Sequence, residues 1–169
     1  MATSPERPTV GYLVWRLSMK WRAAVDAAVA PLGLTHAQYS VLASLRGLTR
    51  SGRPPSQREL ADHTGLDPIY ISKLARALER DGLITRVPDG HDARAVRLTV
   101  TDDGRAAIDR AIELVHALLD QLTAPLGGTG GAPVQSLMGD LTRLIDSPLP
   151  RQLQEPADEH PETREEHQS

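Results

Sequence analysis

Along residues 66–86, LDPIYISKLARALERDGLITR, apolar positions recur every three or four residues. Ile71, Leu74, Ala75 and Leu78 share one face, the spacing of an amphipathic helix with a buried stripe. Ile69 and Tyr70 fall off that stripe, beside Lys73 and Arg76. The same period recurs elsewhere. From Val10 to Ala30, Leu13, Leu17, Trp21, Ala24 and Ala28 lie on one face, and Pro31-Leu32-Gly33 supplies a stop. A second helix is predicted from Thr35, an N-cap candidate, to about Leu48, with Tyr39, Leu42, Ala43 and Leu45 turned inward. A long helix opens at Thr101-Asp102-Asp103 and carries Ile108, Ala111, Ile112, Val115, Leu118, Leu119 and Leu122. A last helix, roughly 133–146, carries Val134, Leu137, Met138, Leu141, Leu144 and Ile145. GGTGGAP (127–133) reads as a flexible break between these two.

The middle of the chain changes period. TRSGRPPS (49–56) is a loop, and Ser56-Gln57-Arg58-Glu59 is a capping box opening a short helix to about Thr64. Gly65 offers the positive φ of a sharp turn. Asp67 is the next N-cap, and Pro68 takes the first helical position, where its missing N–H costs nothing. Asp81-Gly82 ends that helix. Leu83–Val87 and Val96–Val100 then alternate as strands around PDGHDAR (88–94), with Asp89-Gly90 as a turn dipeptide. The predicted fold is mainly α with a small β wing: a winged helix-turn-helix at 35–101, framed by helices at 10–34 and 102–146.

Composition sets limits around this pattern. A chain of 169 residues with 40% hydrophobic residues suits one domain with a sizeable core. The net charge of −3 argues against a nucleic-acid partner until it is divided along the chain. Residues 146–169 hold seven acidic side chains against Arg151 and Arg164, so the remainder is mildly basic. Residues 1–9, with Pro5 and Pro8, read as a loose arm, and 147–169 as a disordered acidic tail. There is no cysteine, and the six histidines lack metal-ligand spacing, so no metal or other cofactor is expected. No nucleophile–base pair stands out, which points away from an enzyme. No membrane span or signal peptide is visible, and a cytoplasmic location is expected.

A helix-turn-helix sets its second helix in the major groove, N-terminal residues foremost. Here that end offers Pro68, Ile69, Tyr70, Ser72, Lys73 and Arg76. Ile69 can touch a thymine methyl, Tyr70 and Ser72 can bond phosphate or base edges, and Lys73 and Arg76 can neutralise phosphates or read guanine. The hairpin adds Arg86, His91, Arg94 and Arg97. An arginine at its tip has the length to enter a narrow minor groove. For Arg97, a solvent-facing strand position is as good a reading as DNA contact.

LADHTGLDPIYISKLARALERDGLITR followed by DARAVRLTVTDDG resembles the MarR (multiple antibiotic resistance regulator) family over roughly residues 10–146. The resemblance rests on the run Ile71-Ser72…Leu74…Leu78-Glu79…Gly82-Leu83-Ile84…Arg86, on Asp92-x-Arg94 and on Thr101-x-x-Gly104. The chain departs from the family at Asp67 and Pro68, where Ser or Thr is usual, and at Val100, where Leu is usual. The resemblance implies a homodimer built from both chain ends, binding a pseudo-palindromic double-stranded operator, usually as a repressor. The apolar surface of the terminal helices, more than one small winged domain needs, points to a dimer independently. Its two recognition helices would then address major grooves about 34–36 Å apart.

The resemblance also implies that Asp92 orients the wing arginine Arg94; a carboxylate two residues away can hold a guanidinium fork. Family members often bind small aromatic or anionic effectors between the dimerisation helices and the winged domain. Trp15, Arg16, Met19, His36 and Tyr39 are the candidates for such a pocket, with core packing as the alternative. A second functional reading is a winged-helix protein-interaction module without specific DNA binding. The two differ in salt dependence, which is steep for DNA.

Overall fold

Thr9 sets the first boundary of the folded chain: its hydroxyl accepts from the Tyr12 N–H at 3.2 Å and starts α1 (Val10–Val29). The computed structural model describes residues 7–49, 52–90, 92 and 95–148. After α1 a 3-10 turn, Ala30–Leu32, closes on Gly33 at φ 71°. Then come α2 (His36–Thr49), α3 (Gln57–Thr64), α4 (Pro68–Arg80), β1 (Ile84–Pro88), β2 (Val96–Val100), α5 (Asp102–Thr123) and α6 (Ala132–Asp146). The acidic tail, the first residues of the arm, and His91, Ala93 and Arg94 lie outside the described residues.

Three helix starts follow from local chemistry. Ser56 Oγ accepts from the Glu59 N–H at 3.1 Å while Glu59 Oε2 accepts from the Ser56 N–H at 2.6 Å, the reciprocal capping box. Asp67 Oδ1 accepts from the amides of Ile69 and Tyr70 at 2.8 and 3.0 Å. Thr101 Oγ1 accepts from the Gly104 N–H at 3.0 Å and donates to the Gly82 carbonyl at 2.7 Å. Gly65, at φ 68°, makes the turn between α3 and α4.

The core gathers around α2. Val41, Leu42 and Leu45 meet Val25 and Val29 of α1, Leu60 of α3, Ile71 and Leu78 of α4, Ile84 and Leu98 of the hairpin, and Ile108 of α5; all are fully buried or nearly so. β1 and β2 pair antiparallel, with Ile84 opposite Val100 and Val87 opposite Arg97. The first strand begins one residue later than Leu83, because Leu83 closes the end of α4. Its N–H reaches the Leu78 carbonyl at 2.9 Å, and its own carbonyl accepts from the Thr101 N–H at 3.1 Å. The loop before α3 is also more ordered than its composition suggests. Pro55 accepts from the Leu98 N–H at 2.9 Å and Ser56 bridges to Arg97, so this segment lies along the hairpin like a third strand.

Two further expectations change. The stripe predicted on α1 is not the buried one: Val25 and Val29 enter the core, Trp21, Ala24 and Ala28 are half-buried beside them, and Leu13 and Leu17 are 51% and 46% exposed, because the first half of α1 runs past the core. The segment at 127–133 is a tight reversal rather than a loose break. Gly127 and Gly128 take φ of 88° and 76°, Thr129 bonds Asp120, and the Thr129 carbonyl accepts from the Gln135 amide at 2.9 Å. A Cβ at Gly131 would lie 2.5 Å from the Leu126 carbonyl oxygen. The reversal turns the chain from α5 into α6, which packs against the turn at Ala124–Leu126. Among the described residues no helix is long and apolar enough to cross a membrane.

Candidate nucleic-acid interface

α4 divides cleanly. Ile71, Leu74, Ala75 and Leu78 are buried, and the opposite side carries Ile69, Lys73, Arg76 and Arg80. These four positions advance by four, three and four residues, so they form one stripe along the axis. Ile69 is 69% exposed and Tyr70 41% exposed, with Pro68 also open and Ser72 half-buried at the flank. Lys73, Arg76 and Arg80 enter no ion pair with the described residues. The start of a capped helix thus holds an apolar contact and a hydroxyl next to uncompensated cations. Such a surface can meet a groove edge and its phosphates together. Arg80, at the far end of the helix, extends the stripe beyond the residues at its N-terminal end, and its seven-residue spacing from Lys73 is the sequence signal for it.

The hairpin cations divide as well, and two of them are not free. Arg86 Nη1 meets Glu79 Oε2 of α4 at 3.1 Å, and the Gln57 amide, with its oxygen turned to the strand, accepts from Arg86 Nε and Nη2 at 3.1 Å. Arg97 is neither a solvent-facing residue nor an available DNA contact. Its side chain is 23% exposed: Nε is paired with Asp89, Nη1 donates to Glu59 Oε2 at 2.8 Å, and Nη1 also reaches the Pro54 carbonyl at 3.3 Å. The bond to Asp89 and the nearby carboxylates hold its guanidinium even more firmly in the charged form than usual. The Glu59 carboxyl is held below the usual carboxylate range, first by the Ser56 N–H and, through charge, by Arg53 and Arg97. The sequence marks Glu59 as a cap residue and Asp89 as a turn residue but not their pairing with Arg97, which depends on strands and loops far apart in the chain. Asp92 is exposed, and its N–H donates to Asp89 Oδ1 at 3.2 Å. The expected Asp92–Arg94 orientation, and the tip residues His91 and Arg94, fall outside the described residues.

A MarR family model matches residues 32–95, from the start of α2's approach to the hairpin tip. A helix-turn-helix-type transcriptional repressor of Mycobacterium tuberculosis is 36% identical over 120 residues, covering 69% of this chain and 84% of that protein. The chain belongs to the MarR family. Two solved structures extend the MarR likeness to almost the whole fold. The M. tuberculosis regulator MosR, in complex with DNA, is 27% identical with a TM-score of 0.65, over 82% of this chain and 97% of that one. CouR of Rhodococcus jostii, bound to p-coumaroyl-CoA, is 28% identical with a TM-score of 0.69, over 83% and 93%.

The MarR-like effector candidates are not gathered into one pocket within the chain. Trp15, Arg16 and Met19 line an open groove on α1 with Tyr12, and the Arg16 guanidinium sits 6.0 Å from the Tyr12 ring centre. His36 and Tyr39 do not line that groove. The His36 N–H bonds the Asp26 carboxylate, and Asp26 lies ten residues, about 15 Å, along α1 from Arg16. Tyr39 packs against the core, and burial pushes its phenol pKa up. Burial also pushes the His36 imidazole pKa down, against the opposing pull of Asp26, so it offers an anion little positive charge.

Proposed function

We propose that this protein is a homodimeric, sequence-specific regulator of transcription that binds a pseudo-palindromic double-stranded operator through α4 and the hairpin. The observation that carries the reading is the exposed stripe of Ile69, Lys73, Arg76 and Arg80 on a helix whose other face is fully buried. A merely solvated helix has no need of a bare isoleucine and an exposed tyrosine beside unpaired cations. The DNA complex of the similar MosR structure supports the same use of the fold.

A second surface supports the dimer. α6 buries only Val134 and leaves Leu137, Met138, Leu141, Leu144 and Ile145 on the same face exposed. Leu137, Met138 and Leu141 border a groove of about 680 Å³ with Leu17 of α1 and Leu119 and Leu122 of α5. A contiguous apolar face of this kind on a soluble chain marks a partner surface. A second copy would cover it symmetrically and set two α4 helices side by side.

As a repressor, the protein would leave its operator when a small aromatic or anionic ligand binds near Trp15, Arg16 and Met19. CouR, with its bound p-coumaroyl-CoA, supports a ligand of that chemistry. Selection of bound duplexes from random DNA tests the central reading. A palindrome with half-sites one helical turn apart is the expected result, with binding that weakens steeply as salt rises. Recovery of no preferred sequence, or a salt-independent interaction, would leave the protein-interaction reading instead. A thermal-shift series of aromatic carboxylates on the wild type and on Arg16→Ala tests the effector site; equal shifts in both would remove it.

A further inference from the structure

The hairpin is joined to the helix-turn-helix by a continuous chain of hydrogen bonds that runs through charged side chains. The chain begins near the tip, where the Asp92 N–H donates to Asp89 Oδ1 at 3.2 Å and the Asp89 N–H reaches the Ala95 carbonyl at 2.9 Å. The other oxygen of Asp89 pairs with Arg97 Nε. Arg97 Nη1 then reaches Glu59 Oε2 at 2.8 Å. The same Glu59 oxygen accepts from the Ser56 N–H, the cap of α3. Asp89 is nearly buried, with 8% of its side chain exposed, so its carboxylate is spent on this linkage and not on solvent.

We propose that Arg97 is a positioning residue for DNA binding: it holds the hairpin tip at a fixed height above the helix-turn-helix, so tip and α4 can engage a duplex together. Arg97 touches no DNA itself. The guanidinium fork ties the carboxylate that organises the tip to the carboxylate that starts α3. A planar fork spans two carboxylates at once, which a lysine cannot do with the same geometry. The inference rests on the DNA-binding reading above, and it assigns the arginine nearest the strand a role distinct from the tip arginine.

The test uses the full chain and a duplex recovered by selection from random DNA. Arg97→Gln should lower affinity by about tenfold. Hydroxyl-radical protection should disappear at the flanking minor grooves and persist over the central major grooves. Arg94→Ala should give the same pattern, and the double variant should be no weaker than Arg94→Ala alone. Without DNA, the Asp92 and Ala95 amides should exchange faster in Arg97→Gln, while amides in α4 keep their protection. Arg97→Lys should recover only part of the loss. If Arg97→Gln does not fold, Asp89→Asn cuts the same chain at its other end and should reproduce the result. Unchanged flank protection per bound complex, or a loss that adds to that of Arg94→Ala, overturns the proposal and leaves the DNA-binding reading intact. A wild type that enriches no duplex overturns that reading, and the positioning role with it.

Discussion

α4 and α6 each present a face that the chain leaves uncovered, and the two faces are chemically opposite. α4 buries a complete apolar stripe and shows Ile69, Lys73, Arg76 and Arg80. α6 buries only Val134 and shows Leu137, Met138, Leu141, Leu144 and Ile145. α4 has its packing partners within one copy, so its outer face is free to serve a charged, hydrated ligand. α6 has few partners in its own chain. In the proposed function the first face meets DNA and the second meets another copy of the chain. Substitutions should separate them by what they change and by whether protein concentration matters.

The largest effect belongs to the buried side of α4. Leu78 is fully buried on the side of α4 that packs on α2, α3 and β1. Leu78→Ala should cost about 2–5 kcal/mol, read as a lower urea midpoint at every protein concentration. The exposed side of α6 should respond differently. Leu141→Glu places a charge in the centre of the apolar face and should weaken self-association by on the order of 2 kcal/mol or more, roughly thirtyfold, in sedimentation equilibrium. The wild-type melting temperature should rise with protein concentration and that of Leu141→Glu should not. Equal sedimentation of the two proteins would show that the α6 face is not the contact between copies.

The outer face of α4 should give a third behaviour. Lys73→Ala removes an exposed cation that has no ion-pair partner among the described residues. Folding should be unchanged within about 0.5 kcal/mol. Operator affinity should fall about equally on all sequences, with the salt slope reduced by about one. Tyr70→Ala sharpens the same comparison, because an altered preferred sequence would assign Tyr70 to base reading. An unaltered preference and affinity would leave it a surface tyrosine.

The parts of this molecule that could be read from the chain are those whose causes are local. The capping box at Ser56 and Glu59, the Asp67 cap, the Gly65 turn and the Thr101 start each depend on residues within a few positions of one another. So does the split of α4 into buried and exposed faces, which periodicity alone dictates. The roles of Arg86 and Arg97 depend instead on which distant segment lies beside the hairpin. Their counter-charges come from α3, α4 and the wing turn. The sequence shows Arg86 and Arg97 only as strand cations, and the register of the strands shows what each one braces. The face of α1 with Leu13 and Leu17 was legible as apolar, yet apolar periodicity says nothing of whether the cover comes from this copy or the next. Gly104 was legible as a family signature. The reason for it is spatial: a Cβ there would lie 2.0 Å from the Leu83 carbonyl, where α5 seats on the end of α4.

The smallest expected effect is a pH dependence confined to the braced hairpin. The folded pKa of Glu59 is depressed, first by the Ser56 N–H and then, through charge, by Arg53 and Arg97. A carboxyl with a depressed folded pKa contributes stability that is fully present above its unfolded value, about 4.3, and is lost as pH falls through the folded value. Glu59 is partly open to water, with 40% of its side chain exposed, so screening keeps this contribution small. Glu59→Gln retains an oxygen for the Ser56 N–H and removes the charge. Urea midpoints of the two proteins should therefore stay parallel above about pH 5, and the wild type should lose more than the variant below it. The self-association of α6 involves no group in this chain of bonds, so its dissociation constant should not follow the same curve. If both proteins lose stability in parallel down to about pH 3, the Glu59 charge holds no part of the hairpin, and the linkage through Arg97 runs by hydrogen bonding alone.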